Sequence, residues 1–181
     1  MSPLSGEAQA RKEYLDQFSR AQQIRTQRYK QLEKGFDAVL QTHDESQYKT
    51  IMAEVTVVFK VCSEAINSAE AGLRDMRQDD LADMLRTVQA NEQEKLHLTL
   101  ILQALRQSHA RGFSWQTHAP AEVQSKPDLP QQSCHCCTTA EPSEEEFTAA
   151  KGEALQGLQV AIDNINDVLE ELKYAEAEYN E

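Results

Sequence analysis

Cys134, His135, Cys136 and Cys137 form the densest cluster of metal-ligating and nucleophilic side chains in the sequence. Thiolates and imidazoles are zinc ligands, and a structural zinc ion takes four of them in a tetrahedron, usually from two separated pairs. Here the four are contiguous. No second Cys-x-x-Cys or His-x-x-x-His pair exists to close the shell, and His109 and His118 are the nearest other imidazoles. Adjacent side chains diverge around the backbone, so the spacing argues against a metal centre. Cys136-Cys137 would also suit a vicinal disulfide or acylation. The plainest reading is a reactive loop motif with no fixed role.

The other chemical constellations fail on geometry. Glu94-Lys95-Leu96-His97 reads Glu-x-x-His once, and a carboxylate-bridged di-metal bundle needs that motif twice, with inward glutamates on facing helices. Glu170, Glu171, Glu176 and Glu178 therefore read as a solvated face. Asp163-Asn164-Ile165-Asn166-Asp167 has calcium-friendly oxygens but lacks the EF-hand glycine and the twelfth-position glutamate. Cys62 lies in an apolar stripe without a histidine partner, which fits a small core hydrophobe better than a nucleophile. No phosphate loop and no Gly-x-Ser-x-Gly elbow occurs. The expectation is a non-enzymatic protein with no cofactor.

Charge narrows the partners. The 181 residues carry a net charge of −12. Residues 1–41 hold seven basic against five acidic side chains, whereas residues 141–181 hold two lysines against twelve acids. Non-specific affinity for nucleic acid comes mainly from lysine and arginine displacing counterions, so an acidic back half disfavours direct binding. No apolar run reaches the roughly 18–20 residues of a transmembrane helix. Met1–Ala10 has no apolar signal-peptide region, and three clustered cysteines of four are no disulfide framework. An intracellular protein, nuclear or cytoplasmic, is expected.

Long helices must position whatever the protein uses. No proline falls between Ala8 and Ser108. The first helix is expected over about Glu7–Thr42, on Tyr14, Phe18, Ala21, Ile24, Tyr29, Leu32, Phe36 and Val39, with a weak patch around Arg25–Arg28. Gly35 inside it costs about 1 kcal/mol against alanine. The second, about Ser46–Met76, carries Tyr48, Met52, Val55, Phe59, Cys62, Ile66, Ala69, Leu73 and Met76 in unbroken steps of four and three. That is a heptad seam. Asp44 or Ser46 can cap its start. The third, about Asp80–Ser108, opens on Asp79 and Asp80, where the helix dipole favours acids. It has a polar middle at Gln89–Glu94 and an end that is apolar on more than one face. Such an end is buried on several sides or docks a partner, and Leu98, Ile101, Leu102 and Leu105 are the candidate partner surface.

Residues 109–146 hold Gly112 and all four of the later prolines, with Phe113 and Trp115 as an aromatic pair. They read as a flexible insert. Ser143 and Glu146 have the spacing of a capping box for a fourth helix, whose stripe runs Phe147, Ala154, Leu158, Ala161, Ile165, Val168, Leu172, Ala175 and Tyr179. The organisation is thus three long helices over 1–108, the insert over 109–146, and a fourth helix over 147–181 packing back on the first three. The fold class is all-α: an elongated four-helix bundle or coiled-coil hairpin, with the strict second and fourth seams as the central pairing and room for self-association.

Tyr48-Lys49-Thr50 through Glu54-Val55-Thr56 and Phe59, and Val168 through Glu178, resemble the "required for excision" B-domain family of DNA-repair-associated helical proteins. Gln27-Arg28-Tyr29 to Phe36 is similar in spacing to that family's opening helix. The resemblance covers roughly residues 11–108 and 147–178. It implies a small helical domain linked to removal of DNA damage and transfers no catalytic or ligand residue. Two readings follow: a helical adaptor in excision repair, or a structural coiled-coil component of a cytoskeletal or ciliary assembly.

Overall fold

The computed structural model describes residues 6–110 and 143–178. Within them the protein is all-α: α1 Gly6–Thr42, α2 Ser46–Asp75, α3 Asp79–Ala110 and α4 Glu144–Glu178. Helices of 30 to 37 residues span about 45–55 Å at a rise of 1.5 Å per residue. Cys134, His135, Cys136 and Cys137, together with Phe113 and Trp115, lie outside the described residues.

Local chemistry sets the boundaries. After α1, His43 takes the left-handed conformation at φ 60°, and its N–H donates to the Val39 carbonyl at 2.8 Å. The Ser46 N–H then donates to Asp44 Oδ1 at 2.9 Å. Asp44 thus holds the first N–H of α2 from one residue ahead of the N-cap Glu45, and its bonds to the Ser46 backbone and side chain hold its carboxyl below the usual range. At the end of α2, the Gln78 N–H reaches the Leu73 carbonyl and the Arg77 N–H that of Arg74, both at 2.9 Å. This is a Schellman close, with Arg77 left-handed at φ 59° where glycine is usual. At α4 the capping box forms as expected: Glu146 N–H to Ser143 Oγ at 3.1 Å and Ser143 N–H to Glu146 Oε2 at 2.8 Å.

The helices pair in chain order: α1 with α2, α2 with α3, α3 with α4. Two connections of three residues each are too short for anything but antiparallel neighbours. They corner the α2 seam between α1 and α3, and α4 is left to pack on α3. The expectation that α2 and α4 make the central pair is corrected accordingly.

One core cluster draws on all four helices. Phe18 and Ala21 of α1, Ile66 and Leu73 of α2, Leu85 and Val88 of α3, and Ile165 and Leu172 of α4 are all buried there. Each fully buried large apolar side chain contributes about 1.5–3 kcal/mol relative to exposure. The α2 seam matches its sequence pattern from Val55 to Leu73. The α1 seam does not: Ile24 stands 41% exposed while Arg25 is only 3% exposed. The true seam runs Phe18, Gln22, Arg25, Tyr29, Leu32, Phe36 and Val39, keeping the four-three rhythm through two polar residues.

Candidate functional site

Those polar residues build a layer across the middle of the bundle. Arg25 Nη1 donates to Gln22 Oε1 at 3.1 Å, and Nη2 donates to Ser63 Oγ at 2.9 Å and to Gln89 Oε1 at 2.7 Å. Gln22 Nε2 in turn donates to Glu92 Oε1 at 3.4 Å. Glu92 is buried, and Lys95 Nζ lies 3.4 Å from the same oxygen. Burial pulls the Arg25 pKa down, and the Glu92 charge pulls it back. The layer joins α1, α2 and α3 and contains no residue of α4.

Beyond this layer the bundle opens. On the far side α1 presents Thr26, Lys30 and Glu33, all exposed, where its other end presents Leu15 and Phe18. These polar side chains cannot bury the matching stretch of α4. The result is a cleft of about 410 Å³ between α1, α3 and α4. Leu102, Leu155, Leu158 and Ile162 supply its apolar lining. Leu155 is 48% exposed, and Leu102 is buried at the floor.

Cations rim this apolar floor. Lys30, Lys95, Arg106 and Lys151 line the cleft against one acid, Glu33. Lys95 sits over the Tyr29 ring at 4.2 Å and faces Glu92. Arg106 reaches Asp37 at 3.3 Å. Lys30 on α1 and Lys151 on α4 have no ion-pair partner among the described residues. The cleft thus offers a part-exposed apolar lining edged by positive charge.

The sequence-based partner surface is divided by the fold. Leu102 joins the cleft, whereas Leu98 is engaged by α4, its Cδ1 standing 3.0 Å from where a β-carbon on Gly157 would lie. Ile101 and Leu105 are half-buried. The large apolar side chains left exposed among the described residues are on α1, α2 and α4, not on α3. Ile24 and Val61 line a second groove, with Glu13, Asp16 and Arg20 mixing the charges around it. Sequence periodicity missed the contribution of α4 because Leu155 and Ile162 fall beside its main stripe. Their spacing of seven, in phase with Leu169, was the available signal.

Cys62 is a free, buried thiol whose pKa burial pushes up. Glu94 and His97 are exposed on α3, and Glu170 and Glu171 on α4. Asn164 Nδ2 donates to Asn91 Oδ1 at 3.1 Å, tying α4 to α3. Among the described residues no three His, Cys, Asp or Glu side chains gather as metal ligands, and no helix is long and apolar enough to cross a membrane.

A family model described as DNA repair REX1-B matches residues 13–106, just over half of the chain. The chain belongs to the DNA repair REX1-B family. The match spans α1 to α3, including the polar layer and two walls of the cleft, and stops before the third wall, α4. The likeness read in residues 168–178 has no counterpart in it. No curated protein and no solved structure matches the chain.

Proposed function

We propose that this protein is a non-enzymatic helical adaptor of DNA excision repair that holds a partner protein in the cleft between α1, α3 and α4. The observation that carries the reading is the uncovered apolar floor of that cleft in a chain of the DNA repair REX1-B family. The α2 heptad seam is consumed inside the bundle: Val55, Phe59, Cys62, Ile66, Ala69 and Leu73 are all buried. Little seam is left for a polymeric coiled coil, which favours the adaptor over a cytoskeletal or ciliary part. The net charge of −12 favours protein over nucleic acid as the partner.

The test is removal of ultraviolet photoproducts in cells lacking the protein. Slowed removal, restored by the wild-type chain and accompanied by a nuclear pool of tagged protein, supports the reading. Normal removal in a clean knockout overturns it, and a pool confined to axonemes or centrosomes favours the structural alternative.

A further inference from the structure

We infer that the cleft is shaped and charged for an acidic amphipathic helix of the partner, a conclusion that rests on the adaptor reading and adds the chemistry of its ligand. Leu155, Leu158 and Ile162 present an apolar strip along the open half of α4. A helix laid between α1 and α4 would bury that strip with residues at i, i+3, i+4 and i+7. It would stand where α1 leaves α4 uncovered.

Charge selects the sign of that helix. Lys30 and Lys151 stand on opposite walls, one from α1 and one from α4, without ion-pair partners among the described residues. Lys95 and Arg106 on the third wall are matched by Glu92 and Asp37, so Lys30 and Lys151 set the sign of the rim against Glu33. This is a cationic rim on a chain of net charge −12, so it attracts carboxylates flanking an apolar stripe. Single-stranded nucleic acid would need free aromatic faces for base stacking. The one aromatic lining the cleft, Tyr29, already packs on Phe59 at 4.9 Å and carries Lys95 over its ring. The chain's own acidic helix, α4, is engaged on α3, which points to a partner other than a second copy.

The experiment uses the full chain and three fluorescent peptides of about 20 residues, roughly 30 Å of helix. All share leucines on one face, and the flanking positions are all Glu, all Gln or all Lys. Anisotropy should show the Glu peptide binding about tenfold tighter than the Gln peptide and the Lys peptide weakest. The Lys30→Glu/Lys151→Glu variant should reverse that order while its circular dichroism melt matches the wild type. Equal binding of the Glu and Gln peptides, both lost in Leu158→Glu, overturns the charge inference and leaves the cleft reading standing. No binding by any peptide overturns both. Binding of an oligothymidylate that displaces the Glu peptide, or self-association abolished by Leu158→Glu, also overturns the inference.

Discussion

Tyr14 of α1 lies directly across Gly72 of α2, so that a β-carbon on Gly72 would overlap the tyrosine ring. Gly72 is thus what lets α1 and α2 approach at this end. In a helix interior alanine is otherwise better than glycine by about 1 kcal/mol. Gly72→Ala should therefore gain nothing or lose up to about 2 kcal/mol in the wild-type background, because the ring must swing away. With Tyr14→Ala already made, the same change should stabilise by about 1 kcal/mol. Urea unfolding of the four proteins in this cycle measures the coupling, and simple additivity would contradict the contact.

Arg77 occupies a left-handed position at φ 59° that costs an ordinary side chain about 1–2 kcal/mol. Arg77→Gly removes that strain but frees the unfolded chain, which returns about 0.4–1 kcal/mol. The net expectation is a gain of about 0.5–1 kcal/mol, read as a higher Tm. A lower Tm would mean that the arginine side chain contributes more than the turn costs.

Arg25 is held by Gln22, Ser63 and Gln89 beside the buried Glu92. Removing it leaves a buried carboxylate with Lys95 alone to balance it. Arg25→Ala should cost about 3–5 kcal/mol. Arg25→Met combined with Glu92→Met should recover at least half of that loss, since apolar replacements of a buried charged pair are often near neutral. Chemical denaturation of the single and double variants decides the point.

Much of the fold was legible in the sequence because short turns, caps and heptads are local signals. The capping box at Ser143 and the unbroken α2 stripe needed no tertiary information. The polar layer was not legible by apolar counting: Arg25 falls in the weak patch of the first stripe and Glu92 in the polar middle of the third, and Ile24 takes a seam position that belongs to Arg25. Keeping the four-three rhythm regardless of residue type would have placed Arg25 and, in α3, Glu92 inside. The cleft was hidden for a different reason. It arises where polar Thr26 and Lys30 fail to cover α4, a mismatch between helices more than 100 residues apart in the chain.

Burial pushes the Tyr48 phenol up to about 12, against about 10 for a free tyrosine. Its hydroxyl donates to Gln103 Oε1, joining α2 to α3. The folded state therefore holds this proton longer than the unfolded chain does. The stabilisation is intact below pH ~10 and is lost as pH rises from there through the folded value. Burial pushes the Tyr29 phenol up further still, so alkaline difference absorbance should show two late-ionising tyrosines, of which Tyr48→Phe removes the earlier. Ionisation of all tyrosines together near pH ~10 in still-folded protein would contradict the burial.

The role of the cleft in repair is read from the rate of ultraviolet photoproduct removal in cells whose sole copy of the protein carries Leu155→Glu and Leu158→Glu. The double change places two charges on an apolar floor that is part-exposed, so folding is checked by expression level and thermal melt. Removal as slow as in the knockout, with a normally folded protein, is the predicted result. Removal at the wild-type rate would contradict the account.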